Sequence, residues 1–159
     1  MSIVKVSKNS SLPFSQKKRF IIRTAKKSLR PSLITMVFSS WLGTYLELFL
    51  TGKQLYTFEK RPFADIFTID IRFTLLGIPL FALFILYITK SMGFVYKLLF
   101  ITIVSAVMTI TEKLLGKLEW ITYSEQWQHI YSFFGYIAFS FLMLLFFKWV
   151  SSGPINNKF

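Results

Sequence analysis

The chain has no cysteine and one histidine, His129, among its 159 residues. Without cysteine there is no disulfide, thiol nucleophile, redox motif or thiolate metal site. The lone histidine leaves no HExxH-type metal spacing, although Glu47, Glu112 and His129 are all metal-competent side chains. Acids are scarce as well, with seven Asp and Glu against 19 Lys and Arg, for a net charge of +12. No nucleophile motif, phosphate-binding loop or paired-carboxylate spacing stands out, so the sequence reads as non-enzymatic and without a cofactor.

What the chain has in quantity is apolar side chains, 53% of its residues, with 19% aromatic. They concentrate in four blocks, each near the roughly 20 residues that cross a hydrocarbon core. With their amphipathic flanks the spans are 31–50, 67–88, 95–114 and 130–150. The expected fold is therefore all-α, an integral membrane four-helix bundle. A basic segment, 1–30, precedes the transmembrane domain 31–150, and a short tail, 151–159, follows it.

Charge placement orients the chain. Nine bases precede the first span, Lys90 and Lys97 flank the second turn, and Lys148 and Lys158 lie at the C-terminal end. No acid shares these segments. All seven acids fall at the end of, or after, the first and third spans, together with the six remaining bases. The positive-inside rule then predicts both termini in the cytoplasm and a plasma-membrane location. The same rule removes the need for a nucleic-acid partner, since nothing resembles a recognition helix and an anionic leaflet suits the basic segment.

Residues 14–30 place Phe14, Ile21, Ile22, Ala25 and Leu29 along one side of a helix. That pattern fits a helix lying on the bilayer, with Lys17, Lys18, Arg19, Arg23, Lys26, Lys27 and Arg30 against anionic headgroups. It fits equally a disordered segment that only orients the chain. No small-x-small cleavage site follows the first span, which reads as a retained anchor opened by Pro31. After Pro62, the loop 51–70 predicts a short interfacial helix or re-entrant segment. Pro79 should kink the second span. Trp120, Tyr123 and Trp127 mark the outer interface and Trp149 the inner one. No internal repeat is apparent, which argues against an inverted-repeat transporter.

Two sets of polar residues are candidates for function. Ser39, Gly43 and Thr44 in the first span, Ser105 and Thr109 in the third, and Ser132, Tyr136 and Ser140 in the fourth form stripes suited to close helix packing. Glu47, Arg72, Glu112 and His129 lie at one depth near the outer surface, each on a different helix. Buried charges tend to pair, so a cluster is expected with Arg72 holding Glu47, Glu112 or both.

Three strings also carry a resemblance: Ser39-Ser40-Trp41-Leu42-Gly43-Thr44-Tyr45-Leu46-Glu47; Arg61-Pro62-Phe63 with Ile66-Phe67-Thr68-Ile69-Asp70-Ile71; and Glu125-Gln126-Trp127-Gln128-His129-Ile130-Tyr131-Ser132-Phe133-Phe134-Gly135-Tyr136. Over roughly residues 35–150 the chain resembles a group of small multi-pass membrane proteins from spore-forming Gram-positive bacteria. The resemblance implies an integral plasma-membrane protein and carries no reaction, ligand or catalytic residue.

The expected function is an accessory or scaffold role, engaging a membrane-protein partner or a second copy through the polar stripes. The alternative is a small transporter or channel with an outer vestibule at the charged cluster. An enzyme acting on lipid ranks third.

Overall fold

The computed structural model describes residues 14–152, with side chains from Leu29 onward. Headgroup contacts expected of Lys17 to Lys27 lie outside the described side chains, and Arg30 is exposed. Four helices dominate: α1 (Phe14–Gly52), α2 (Ile78–Thr89), α3 (Phe94–Lys117) and α4 (His129–Ser152). A π-helical stretch, Phe73–Gly77, leads directly into α2. Two short strands, β1 (Tyr56–Phe58) and β2 (Ile121–Tyr123), pair antiparallel with Tyr56 opposite Tyr123. The ribbon is a correction to the all-α expectation.

Three helical stretches, Leu29–Gly52, Phe94–Lys117 and His129–Ser152, are long and apolar enough to cross a membrane. At 1.5 Å per residue each reaches about 36 Å. Phe73–Thr89 is apolar but shorter, about 25 Å by the same rise. Outward-facing side chains are large and apolar: Val37 and Tyr87 are each 71% exposed and Trp149 is 72%. Water would not tolerate apolar patches of that extent, whereas lipid does.

The inward faces are narrow and made of small residues. In α1 the buried positions are Pro31, Thr35, Ser39 and Gly43, repeating every four. Thr35 and Ser39 donate their hydroxyls to the carbonyls of Pro31 and Thr35, at 2.8 and 2.7 Å. Each polar side chain is thus satisfied within its own helix, leaving a slim face for a neighbour. Pro31 lies inside α1 and does not open it, which corrects the expected helix start. Helices α1 and α2, α3 and α4, and α1 and α4 lie closely side by side. Toward the Lys90–Gly93 turn the interior is sealed by the fully buried Ala82, Ile85, Ile101 and Met143. There α2 meets α3 through Phe84 and Phe100, whose ring centres are 6.0 Å apart.

The π-helical stretch has a local cause and a local remedy. Ile78 N–H bonds to Phe73 O, one residue further back than in an α-helix. In that register the next donor, to Thr74 O, would be residue 79, but Pro79 has no N–H. The Ser40 hydroxyl supplies the missing donor from α1, at 2.7 Å. One turn along α1, a Cβ at Gly43 would overlap Ile78 Cδ1, so glycine sets how closely α1 and α2 approach.

The loop after Pro62 forms turns and no helix, a third correction. Arg61 holds it by donating to the carbonyls of Phe58, Ala64 and, at 2.7 Å, Phe67. Helix begins again at Ile71, and Asp70 caps it by accepting from Arg72 N–H at 2.9 Å.

A repeat invisible in simple pattern matching emerges from the helix ends. Helices α1 and α3 both finish in a Schellman motif, with Gln54 (φ 56°) and Glu119 (φ 57°) in the left-handed region. Leu55 N–H returns to Leu50 O, and Trp120 N–H to Leu115 O. Each motif then runs into a strand of the ribbon. Superposing these ends by an offset of 65 residues matches Ser40 with Ser105, Thr44 with Thr109 and Glu47 with Glu112. Thr44 bonds to Ser40 O and Thr109 to Ser105 O, both at 2.8 Å. Along the π-helical stretch and α2, the buried Thr74, Ala82 and Ile85 likewise match the buried Ser132, Ser140 and Met143 of α4, and Ile78 matches the half-buried Tyr136. The chain is laid out as two helix–strand–helix halves.

Two predictions test this architecture. Ser40→Ala should cost about 1–3 kcal/mol by orphaning Thr74 O, and should cost less in a Pro79→Ala background, where residue 79 regains its N–H. Thermal unfolding of the four-member cycle in detergent checks both. Asp70→Ala should cost about 1 kcal/mol as a lost cap. Burial alone would raise the Asp70 pKa, but the Arg72 hydrogen bonds and charge outweigh it and hold it below the ordinary 3.8. Its stabilisation is therefore present above that ordinary value and lost as pH falls through the depressed one, and Asp70→Asn should lack that acid limb.

Candidate functional site

The ribbon end of the molecule is hollow. A cavity of about 630 Å3 lies among the four helices, roofed by the ribbon and the residues flanking it. Small-molecule sites fall in the range of about 300–1,000 Å3. Its existence follows from the helix pairing, because α2 and α3 meet near the turn end and do not pack closely toward the ribbon. Phe73, Gly77 and Phe81 line one side of that gap, and Met108 and Leu115 the other. Aromatic walls, the carboxylates of Glu47, Asp70 and Glu112, and Lys60 are also on the lining.

Glu112 is the better satisfied of the two acids. It is 9% exposed and receives four side-chain bonds. Trp127 Nε1, His129 Nδ1 and Ser132 Oγ approach Oε1 at 3.2, 3.1 and 2.7 Å, and Tyr136 donates to Oε2 at 3.2 Å. The His129 contact requires the ring proton on Nδ1. These donors come from α4 and the segment before it, so one carboxylate ties α3 to α4. Tyr123 adds a bond to the Glu112 carbonyl at 3.4 Å and packs edge-on against His129.

Glu47 occupies the duplicate position in the first half but lacks the duplicate partners. Matching α2 to α4 by their buried positions puts Ile69, Ile71, Thr74 and Ile78 where the second half has Trp127, His129, Ser132 and Tyr136. Isoleucine stands at three of these four matched positions. Among the described residues the Glu47 carboxylate accepts from Tyr56 alone, at 2.9 Å to Oε2, and has no ion-pair partner. Burial, then the Glu47 charge, pushes the Tyr56 phenol well above its usual pKa, which keeps it a proton donor. Burial followed by the Glu112 and Glu47 charges does the same for Tyr123.

The expected charge cluster is therefore partly rearranged. Glu112 and His129 are joined, and Glu47 lines the same cavity. Arg72 stands apart: it is exposed and pairs with Asp70 at 2.8 Å while bonding Lys60 O. Its pairing with Glu47 or Glu112 is corrected, because the Asp70 cap two residues away captures the guanidinium first. Among the described residues no group of three His, Cys, Asp or Glu is placed to hold a metal ion.

The small and hydroxyl residues turn toward the chain's own interior. Ser39, Ser105, Ser132 and Ser140 are buried, and Gly43 faces Ile78. Ser105 Oγ, the counterpart of the hydroxyl that rescues Thr74 O, is buried with no partner among the described residues. No proline interrupts α4 to free a carbonyl for it. Trp127 and Tyr123, read from sequence as interface aromatics, are site residues, and Tyr56 of β1 joins them. The available signal was polar-headed aromatics spaced so as to reach Glu112 from one helix start. The chain matches no family model, no curated protein and no solved structure.

Glu112→Ala should lower stability by on the order of 3 kcal/mol, since it strands four donors. Glu47→Ala strands one and should cost about 1 kcal/mol. Comparing the two unfolding midpoints measures the asymmetry directly.

Proposed function

We propose that this chain is a four-span plasma-membrane protein, with both termini cytoplasmic, that admits a small hydrophobic ligand into its outer half. The observation that carries this reading is the cavity, of a size suited to a small molecule, beside a gap between α2 and α3. Phe73–Thr89 serves as the fourth span, extended to the interface by Asp70 and Arg72. Ribbon and loops then lie outside, in agreement with the charge distribution.

Of the classes weighed from sequence, the vestibule is favoured over the scaffold. The polar stripes that would meet a partner are occupied within the chain. The sealed layer of Ala82, Ile85, Ile101 and Met143 makes the site one-sided. Ligand exchange therefore runs through the outer leaflet or the outer surface, and transport across the membrane would require that layer to part.

The cysteine-free sequence makes the test simple. Gly135 lines the cavity, and a Cβ there meets nothing within 4 Å. Gly135→Cys should react with lipid-soluble N-phenylmaleimide in native membranes, while Ala82→Cys, fully buried and off the lining, should stay inert. Equal inertness of the two would remove the cavity. For topology, an impermeant maleimide applied to intact cells should label Gly52→Cys and leave Ser152→Cys untouched.

A further inference from the structure

We propose that the ligand of this cavity is an amphipathic organic cation, with its charged head on Glu47 and its apolar body against the aromatic walls. This rests on the cavity reading above and names the chemistry that the cavity selects. The decisive feature is the inequality of two duplicated acids. Glu112 has four side-chain donors on its two oxygens, whereas Glu47 has one donor on Oε2 and none from the protein on Oε1 among the described residues. A carboxylate lining an apolar cavity is costly unless a cation or donors reach it. The isoleucines at the duplicate places prevent the protein from supplying them.

The charges around the cavity agree. Asp70, also on the lining, is paired with Arg72, and Glu112 is met by its four donors. Lys60, on the lining, is drawn away to Leu118 O at 3.4 Å and lies over the Trp120 ring. Of the three lining acids, Glu47 is left with a single donor and no ion-pair partner among the described residues. Tyr56 and Trp127 stand edge-on to one another near it, with centres 5.5 Å apart, and aromatic faces attract organic cations. A bare metal ion is the wrong size and lacks a third ligand. An ammonium on an alkyl or aryl body fills the volume and pairs the charge.

The probe pair is octylammonium and octanol, which share a chain and differ in head charge. Each is tested for protection of Gly135→Cys against N-phenylmaleimide in bilayers of zwitterionic lipid, so that bulk lipid does not concentrate the cation. Octylammonium should protect at least about tenfold better than octanol, the scale of a charge-assisted hydrogen bond. Glu47→Gln should abolish that preference, and Asp65→Asn, at an exposed acid off the lining, should leave it intact. Equal protection by both probes, no protection by either, or a preference that survives Glu47→Gln overturns the cation assignment. All three leave the cavity standing as long as Gly135→Cys reacts. An unreactive Gly135→Cys overturns the cavity itself, and with it this inference.

Discussion

One carboxylate organises the ribbon end of this protein. In an apolar surrounding, Glu112 must be met by donors, and the chain meets it with Trp127, His129, Ser132 and Tyr136. Those four bonds bring the start of α4, and the segment before it, onto α3. The ribbon follows from the same constraint, because β2 lies between the two helices so joined and pairs with β1. With the second half tied to itself, α4 packs against α1 while α2 and α3 stay apart toward the ribbon, and the cavity is the space between them.

The likeness of the two halves places an acid on each side of the cavity, and their differences set the two sides apart. A repeated Ser-x-x-x-Thr-x-x-Glu pattern puts Glu47 and Glu112 at corresponding turns of α1 and α3. The second half supplies donors to its acid, while the first has Pro79, a π-helical stretch and isoleucines. Ser40 and Ser105 show the same split, one hydroxyl bonded to Thr74 O and the other buried without a partner among the described residues. π-Helical stretches recur where a helix must widen beside a site. Here Phe73 and Gly77 of that stretch line the cavity.

Much of the helical layout was legible in residue order. Apolar runs and their lengths mark the helices because burial in lipid sums residue by residue. The turn at Lys90–Gly93 and the small-residue faces were readable for the same local reason. Arg72 was misassigned because depth along the sequence is not distance in space: Asp70 sits two residues away, and local pairing wins over a partner on another helix. The interfacial helix expected after Pro62 gave way to turns held by Arg61, whose three carbonyl bonds no periodicity announces.

Sequence alone determined the class of solvent this chain is built for and the existence of two acids near one end, since both depend on composition within single segments. Tertiary structure decided everything that depends on pairs. It selected which acid is saturated, joined the strands through two left-handed residues that are not glycine, Gln54 and Glu119, and left a gap where the duplicate contact would have formed. The physical reason is that helix formation is local, whereas the bonds that satisfy a buried carboxylate bridge 15 to 24 residues and exist only once the helices have met.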